Sequence, residues 1–372
     1  MGVFSHGKTA KGSAMSGKQS GRKKPGKVKT TIQPITTEKE LDELLSEPTP
    51  GLVEFMKNLE GDILILGTGG KVGHTMARMA VRAVEASGVS RKIIGVDTFP
   101  SDGVRKALDK LGVETHKADL MKPGALDALP DAENVLYMVG FKFGSTGAEW
   151  NTWAINVYLT GLCAQRYKKS RIVSFSSGNI YPFLPVASGG ATEETPVEPV
   201  GEYAMTTLGR ERMFDYVANH EGTKVLQFRL NYAAELRYGI VHDVATKVWN
   251  GAPLDVSMGH VNVVWQGYVC NVALQCFGLA ASPSSILNIA GPETVSVRWM
   301  AERLGSIMGK KPNVVGEESP NALLNNSASC HKLFGYPQVS IETMIEWVAH
   351  WVASGGASLG KPTHYETRDG KF

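Results

Sequence analysis

From residue 61 onward, two patterns of hydrophobic residues alternate along the chain. Short apolar runs are typical of buried strands, and between them apolar residues recur every three or four positions, as in helices that pack on a sheet. Strands are predicted at 63–66, 93–96, 113–117, 134–139, 171–175, 224–230 and 286–289, and helices at 73–87, 104–111, 149–169 and 203–220. Strands that alternate with crossover helices predict an α/β protein with a doubly wound parallel sheet.

The pattern changes on both sides of this region. Thr37, followed by acids and then leucines, predicts a short capped helix before the first strand. After residue 231 the alternation becomes irregular, with helices predicted at 296–308 and 340–354. We therefore expect the main sheet domain to comprise residues 51–231. A smaller α/β substrate-binding cap is expected to consist mainly of residues 232–360, with 261–290 returning to the sheet.

Basic residues are concentrated before the first helix. The chain has 372 residues and a formal net charge of +3, but residues 1–30 hold eight Lys or Arg and no acid, which leaves 31 bases against 36 acids elsewhere. A segment this rich in Gly, Ser and Lys buries too little apolar surface to fold. Residues 1–50 are therefore predicted to be a basic disordered tail and a short helix. A targeting segment and weak contact with polyanions are the alternatives.

Composition and spacing exclude several other classes. No apolar stretch reaches the roughly 18 residues that a membrane-spanning helix needs. The four cysteines form no CxxC pair, and no His or Cys has zinc-like spacing. We expect inert thiols in a reducing cytoplasm, no metal site, and neither a membrane nor a nucleic acid as partner.

A glycine-rich turn lies between the first predicted strand and the next helix. Gly67, Gly70 and Gly73 have the spacing GxxGxxG, with Lys71 and Val72 between the last two. Glycine permits a tight turn and a close approach of the backbone, and the N–H groups at a helix start bind phosphate. In this strand–turn–helix context the spacing predicts a bound dinucleotide.

Two acids follow the next strands at positions that distinguish dinucleotides. Asp97 ends the second strand, 24 residues after Gly73. A carboxylate there accepts the adenosine ribose hydroxyls and repels a 2′-phosphate. Asp119, followed by Leu120, comes after the third strand, where it either binds the adenine amino group or caps a loop. The sequence predicts NAD, with NADP as the alternative because Arg105 is near in sequence.

Several motifs resemble the extended short-chain dehydrogenase/reductase superfamily, in its NAD-dependent sugar epimerase/dehydratase group. Residues 171–181 read RIVSFSSGNIY, similar to the family's fifth strand and catalytic serine. Residues 203–211 read YAMTTLGRE, similar to its Tyr-x-x-x-Lys-x-x-x-Glu motif. The resemblance covers residues 61–352 and implies a Rossmann domain, a C-terminal substrate domain, catalytic Ser177 and Tyr203, and a homodimer. Asn179 and Asn231 either hydrogen-bond a polyol substrate or serve in packing.

The lysine of that motif is replaced by Thr207. In the family the lysine binds the nicotinamide ribose and lowers the tyrosine pKa, so that a tyrosinate accepts a hydroxyl proton. Thr207 can bond a ribose hydroxyl but brings no charge. Lys142, in a segment similar to the cofactor-contacting Gly-Leu-Lys of UDP-galactose epimerases, is a candidate for the missing cation. The alternative is a lysine that contacts the ribose or solvent without catalytic effect.

Taken with the resemblance, these residues predict an NAD-dependent oxidoreductase or epimerase that acts on a sugar-like hydroxyl. Tyr203 would be the acid/base, and Ser177 would hold the reacting oxygen. Residues 258–268 lack the Arg and the acidic pair typical of nucleotide-sugar members. Arg237 or Arg298 could substitute, although each has the character of a surface or helix charge. The other interpretation is a non-catalytic NAD-binding protein, a sensor or one that binds RNA or protein, which Thr207 favours.

Overall fold

Seven parallel strands form one central sheet in the computed structural model, which describes residues 33–100, 102–142, 144 and 146–371. In chain order they are β1 (Ile63–Leu66), β2 (Ile93–Asp97), β3 (Glu114–Lys117), β4 (Asn134–Tyr137), β5 (Arg171–Ser177), β6 (Lys224–Leu230) and β7 (Ser285–Ile289). Their order across the sheet is β3-β2-β1-β4-β5-β6-β7. The doubly wound prediction is confirmed, and the order reverses between β1 and β4, which opens a crevice at the carboxyl ends of these strands.

Strand β1 shows why the buried strands of this sheet can be predicted from the sequence. Its four residues are all buried. Ile63 and Ile65 pack in the core on one face of the sheet, whereas Leu64 and Leu66 pack in the core on the other. Because alternate residues of a strand point to opposite faces, a strand covered on both sides needs a continuous apolar run.

Helices cover both faces of the sheet and recur through the later chain. They are α1 (Glu38–Leu45), α2 (Pro50–Asn58), α3 (Gly73–Ser87), α4 (Asp102–Lys110), α5 (Glu149–Trp153), α6 (Leu159–Arg166), α7 (Gly201–Glu221), α8 (Ile240–Asn250), α9 (Gln266–Gln275), α10 (Val297–Met308), α11 (Ala328–Phe334) and α12 (Ile341–Ala353). The predicted cap of α1 is confirmed, since the Thr37 hydroxyl accepts the Glu40 N–H and the Glu40 carboxylate accepts the Thr37 N–H. The basic tail at 1–30 lies outside the described residues.

A π-helical turn, Ala154–Tyr158, joins α5 directly to α6. The three segments therefore form one continuous rod that contains a π-helical turn, whereas the sequence predicted a single helix at 149–169. Short 3₁₀ turns occupy Gly178–Ile180, Val186–Ser188 and Cys276–Leu279. Within the described ranges, no helix is long and apolar enough to cross a membrane.

The later chain adds short strand pairs around the carboxyl edge of the sheet. Leu184–Pro185 pairs with Asn321–Ala322, Ala233–Ala234 with Val264–Trp265, Pro253–Asp255 with Asn313–Val315, and His260–Val261 with Val295–Ser296. After α12 the chain continues without regular secondary structure to residue 371. This last segment, residues 355–371, is called the C-terminal strap below, because it crosses the same edge of the sheet.

Candidate functional site

The glycine turn fastens the start of α3 to the end of β1. Gly67 has a φ of +100°, and its N–H donates to the Val96 carbonyl at 2.8 Å. A Cβ on Gly73 would collide with the Gly67 carbonyl oxygen. The turn therefore depends on glycine twice, once for a left-handed backbone and once for close packing of helix on strand.

A first pocket, of about 250 Å³, opens beside this turn and is called the Asp97 pocket. It contains Gly67, Gly70, Asp97, Asp119 and Leu120 together, as the sequence predicts for an adenosine site. One Asp97 carboxylate oxygen accepts the Gly69 N–H at 2.9 Å, and the Asp119 carboxylate accepts the Met121 N–H at 3.1 Å. These bonds to backbone N–H groups fix both carboxylates at the pocket wall.

A second pocket, of about 210 Å³, is called the Tyr203 pocket. Seven of the residues singled out from the sequence line it: Lys71, Val72, Lys142, Ser177, Asn179, Tyr203 and Asn231. The strand register explains part of this convergence, because Ser177 at the end of β5 pairs with Leu230 at the end of β6, and Asn231 follows. Tyr203 lies in the first turn of α7, which begins beside the same sheet edge.

Hydrogen bonds position the polar side chains at the ends of β5 and β6. The Ser177 hydroxyl donates to Asn179 Oδ1 at 2.9 Å and accepts the Asn179 N–H at 3.2 Å. Asn231 is buried, and its amide reaches the Leu323 carbonyl at 3.4 Å. Asn179 therefore orients Ser177 in this structure, while both residues also border the pocket.

Lys142 approaches the tyrosine that the family motif identifies. Its Nζ lies 5.4 Å from the centre of the Tyr203 ring. Burial lowers the pKa of Lys142 to about 8. The preceding residue, Phe141, is clamped by Asn156, whose amide accepts the Phe141 N–H at 2.8 Å and donates to the Phe141 carbonyl at 2.9 Å. Asn156 belongs to the π-helical turn, so that turn holds the Lys142 segment in place.

Thr207 is not brought to the pocket. Its side chain is fully buried, and its hydroxyl donates to the Tyr203 carbonyl at 2.8 Å along α7. In this structure the Thr207 hydroxyl is therefore not placed for the ribose contact that was considered from the sequence. The physical reason is that threonine within a helix readily donates to the carbonyl four residues earlier.

Arg210, less than one turn beyond Thr207, is a buried cation that the sequence did not single out. Its guanidinium donates to Asn156 Oδ1 at 2.9 Å and to the Phe175 carbonyl at 2.7 Å. It also fills the space that a Cβ on Gly140 would need. Arg210 thus ties α7 to β5 and to the amide that clamps Phe141. Its position within the YAMTTLGRE motif was the signal available in the sequence.

Lys71 of the glycine turn faces an aromatic ring that was also missed. Its Nζ lies 3.5 Å from the centre of the Tyr238 ring. Burial, followed by the nearby charges of Lys361 and Lys142, lowers the pKa of Lys71 to about 7. No acidic side chain lines the Tyr203 pocket within the described part of the chain. The pocket is therefore electropositive on the side of the glycine turn.

The two arginines proposed as substitutes for a diphosphate clamp are both bound to carboxylates. Arg237 is buried, contrary to the surface position expected for it, and it pairs with Glu235, Glu38 and Asp42. Arg298 pairs with Glu318 at 2.7 Å. Arg237 joins α1 to the body of the protein, and neither guanidinium lines the Tyr203 pocket.

The comparisons with known proteins agree with this geometry. Residues 63–234 match the sequence model of the NAD dependent epimerase/dehydratase family. These residues form a domain of that family. The resemblance drawn from the sequence is confirmed, and the matched range contains the glycine turn, Asp97, Lys142, Ser177 and Tyr203. No curated protein matches the chain.

Solved structures with the same fold include NAD dependent epimerases and dehydratases. UDP-glucuronic acid 4-epimerase from Bacillus cereus, in complex with UDP-glucuronic acid and NAD, has a TM-score of 0.67 and 16% identity, over 79% of this chain and 99% of that chain. dTDP-glucose 4,6-dehydratase from Bacillus anthracis, in complex with NAD, has a TM-score of 0.66 and 15% identity, over 79% and 96% of the two chains. UDP-galactose 4-epimerase has a TM-score of 0.61 and 18% identity, over 79% and 99%. At these identities the likeness shows a shared fold.

Proposed function

We propose that the protein is an NAD-dependent oxidoreductase or epimerase that acts on a hydroxyl group of a sugar-like substrate. The observation that carries the proposal is the convergence of Tyr203, Ser177 and Lys142 on one pocket beside the glycine turn. The family match over residues 63–234, and two neighbours of the same fold that were solved with NAD, support it.

The residues around the glycine turn fit a dinucleotide. Gly73 keeps clear the backbone cradle at the start of α3, where N–H groups favour a pyrophosphate. The Asp97 pocket offers a fixed carboxylate for ribose hydroxyls and a second one, Asp119, for the adenine amino group. A carboxylate at the first position favours NAD over NADP, because it repels a 2′-phosphate. When bound, NAD supplies the two-electron acceptor and donor for oxidation and reduction at an alcohol carbon.

The chain's own residues supply the proton chemistry and the orientation. Tyr203 takes the proton of the substrate hydroxyl and returns it in the reverse direction. The Ser177 hydroxyl, oriented by Asn179, holds the same oxygen. An ammonium group close to a phenol stabilises the phenolate form, and Lys142 provides that charge in place of the missing lysine at position 207.

Formation of NADH, followed by absorbance, tests this function. The wild-type protein is incubated with NAD and a panel of free sugars, sugar acids and nucleotide sugars, and NAD affinity is measured separately by fluorescence titration. NADH formation, or exchange of configuration at one carbon, is the expected result. Tight NAD binding without turnover across the whole panel would instead identify a non-catalytic NAD-binding protein.

A further inference from the structure

The C-terminal strap forms one wall of the Tyr203 pocket. Thr363, His364, Tyr365 and Thr367 line the pocket together with Ser177, Asn179 and Tyr203. The strap follows α12, whereas Ser177 and Tyr203 lie within the family-matched range of 63–234. The pocket is thus completed by residues from outside the part of the chain that carries the family's motifs.

Specific contacts hold the strap across the pocket. At its near end, the Thr363 N–H and hydroxyl both donate to the Asp243 carboxylate of α8, at 2.7 and 2.6 Å. Farther along, Arg368 donates to the Asn321 carbonyl at 3.1 Å. At the far end Gly370 packs so closely on Val200 that a Cβ on Gly370 would collide with the Val200 carbonyl oxygen. Val200 directly precedes α7, so the strap runs from α8 to the start of the helix that carries Tyr203.

The strap also contains a strained residue at the pocket. His364 has a φ of +52°, in the left-handed region that non-glycine residues rarely adopt. Such a conformation is strained, and it persists where surrounding contacts over-determine it, as at ligand sites. The hydrogen bonds of Thr363, one residue earlier, provide such contacts. The backbone therefore places His364 at the pocket at an energetic cost.

With the strap in place the pocket is small and lacks a diphosphate clamp. Its volume is about 210 Å³, below the roughly 300–1,000 Å³ typical of pockets that enclose a drug-sized ligand. No arginine lines it within the described residues, and the nearby Arg368 is engaged with Asn321. A guanidinium fork is the group that best binds a diphosphate. The remaining cations, Lys71 and Lys142, lie at the glycine turn and beside Tyr203.

We propose that the C-terminal strap determines substrate specificity, through His364 and Thr367, by admitting a free monosaccharide-sized polyol and excluding the nucleotide half of a nucleotide sugar. The inference rests on the proposed function, since it concerns the substrate of the same pocket. Thr367 provides a hydroxyl suited to a sugar hydroxyl, and the strap residues from Thr363 to Thr367 close one side of the pocket.

Two variants displace the strap to different degrees. Truncation after Gly360 removes the lining residues, and Gly370→Ala unseats only the far end, because the new Cβ meets the Val200 carbonyl. The matched control is Gly360→Ala, which places the same side chain at a φ of +61° in the same strap with no atom within 4 Å. Circular dichroism and melting temperature establish that each variant is folded. If the truncated protein is unfolded, Gly370→Ala alone is compared with the Gly360→Ala control.

Isothermal titration of the NAD-loaded protein with glucose, glucuronic acid and their UDP derivatives measures the discrimination. We expect the wild-type protein to bind at least one free sugar at least tenfold more tightly than its UDP derivative. Truncation and Gly370→Ala should improve the affinity for the UDP derivative at least tenfold, and Gly360→Ala should change it less than twofold. In addition, Thr367→Val should raise the KM for the free sugar about tenfold while kcat changes less than threefold.

The inference is overturned if the wild-type protein binds no free sugar, if it binds a UDP-sugar more tightly than the free sugar, or if folded strap variants leave the affinity ratio unchanged. Turnover separates this failure from that of the proposed function. NADH formation or exchange of configuration, combined with an unchanged affinity ratio, rejects only the role of the strap. Tight NAD binding with neither NADH formation nor exchange of configuration for any ligand rejects the proposed function, and the measured affinity ratio still decides whether the strap excludes nucleotides.

Discussion

The Asp97 pocket and the Tyr203 pocket open at the same edge of the sheet, but they are built in different ways. The first is lined by residues from the ends of β1 to β4 and from the rod of α5 and α6. The second draws its walls from segments scattered between residues 71 and 367. The first is thus largely local to consecutive strand–helix units, whereas the second depends on contacts between segments far apart in the chain.

The difference explains where this chain departs from the family motif. A strand–turn–helix unit fixes its own geometry, so the glycines and Asp97 keep the expected spacing. In the Tyr203 pocket, each chemical group comes from its own segment, so one segment can lose a group while another supplies it. Thr207 is buried in α7, and Lys142 approaches Tyr203 from the segment after β4.

The largest expected effect is a loss of kcat without a loss of NAD affinity, which would separate the roles of the two pockets. Tyr203→Phe removes the acid/base, so kcat should fall about 10³-fold, within the range for general acid–base groups. NAD affinity, measured by fluorescence titration, should change less than threefold, because the Asp97 pocket is untouched. The control is Tyr216→Phe, which changes a largely exposed tyrosine on the same helix and should keep full activity. Equal activity of the two variants would exclude Tyr203 as the acid/base.

The second-largest expected effect is a loss of NAD affinity when the glycine turn beside the Asp97 pocket is changed. Gly73→Ala introduces a Cβ against the Gly67 carbonyl oxygen, so NAD affinity should fall on the order of 100-fold. Gly88→Ala at the other end of α3 meets no atom within 4 Å and should leave the affinity near that of the wild-type protein. Titration with NAD compares the two. Similar losses in both variants would attribute the effect to helix stability and not to the turn.

Lys142 offers a sharper test of compensation within the Tyr203 pocket. Lys142→Met should lower kcat roughly 30-fold, because it removes the positive charge beside the Tyr203 ring that favours the phenolate form. Because burial lowers the Lys142 pKa to about 8, its positive charge is present below that pH and is lost as pH rises through it. The Lys142-dependent part of kcat should therefore decline above pH about 8.

Lys142→Arg is the matching control for charge, because arginine stays protonated across this range. It should retain more activity than the Met variant, and its rate should not decline above the Lys142 pKa. Identical pH–rate profiles for the wild-type, Met and Arg proteins would show that Lys142 does not replace the missing cation.

The smallest effect concerns the choice of dinucleotide. Asp97→Asn removes the negative charge that disfavours a 2′-phosphate, so the preference for NAD over NADP should narrow about tenfold. Asp127→Asn, at an exposed position outside both pockets, is the control. Affinities for both dinucleotides are compared by titration. An unchanged preference would mean that Asp97 serves only its partners within the chain, the N–H groups of Gly69 and Phe99 and the Thr98 hydroxyl.

The sheet could be predicted almost residue by residue because all its strands except the edge strand β3 are largely buried. Strand boundaries differ by at most two residues, as where β4 ends at Tyr137 and β5 continues to Ser177. The convergence of Ser177, Tyr203 and Lys142 could be expected only from the family resemblance, since hydrophobic periodicity does not report which loops meet.

The position of the strap and the hydrogen-bond partner of Thr207 could not be predicted from the sequence, for physical reasons. Residues 361–371 have no apolar periodicity, and single polar contacts such as Thr363 to Asp243 hold them in place. The Thr207 hydroxyl had two plausible partners, a ribose or a helix carbonyl, and only the packing of α7 decides between them. Arg237 was similarly misjudged, because two of its three carboxylate partners, Glu38 and Asp42, lie on α1, far from it in the chain.

Because of the π-helical turn at Ala154–Tyr158, the orientation of α5 relative to α6 depends on the exact number of residues in the rod. Each residue of an α-helix advances about 100° around the axis, so deleting one residue here would rotate α5 by that angle relative to α6. Regular α-helical bonding would be restored, but Asn156 would no longer point both amide atoms at Phe141. Trp150 and Tyr158 on the same rod are largely exposed. The rod should therefore tolerate substitution at such positions far better than any change in its length.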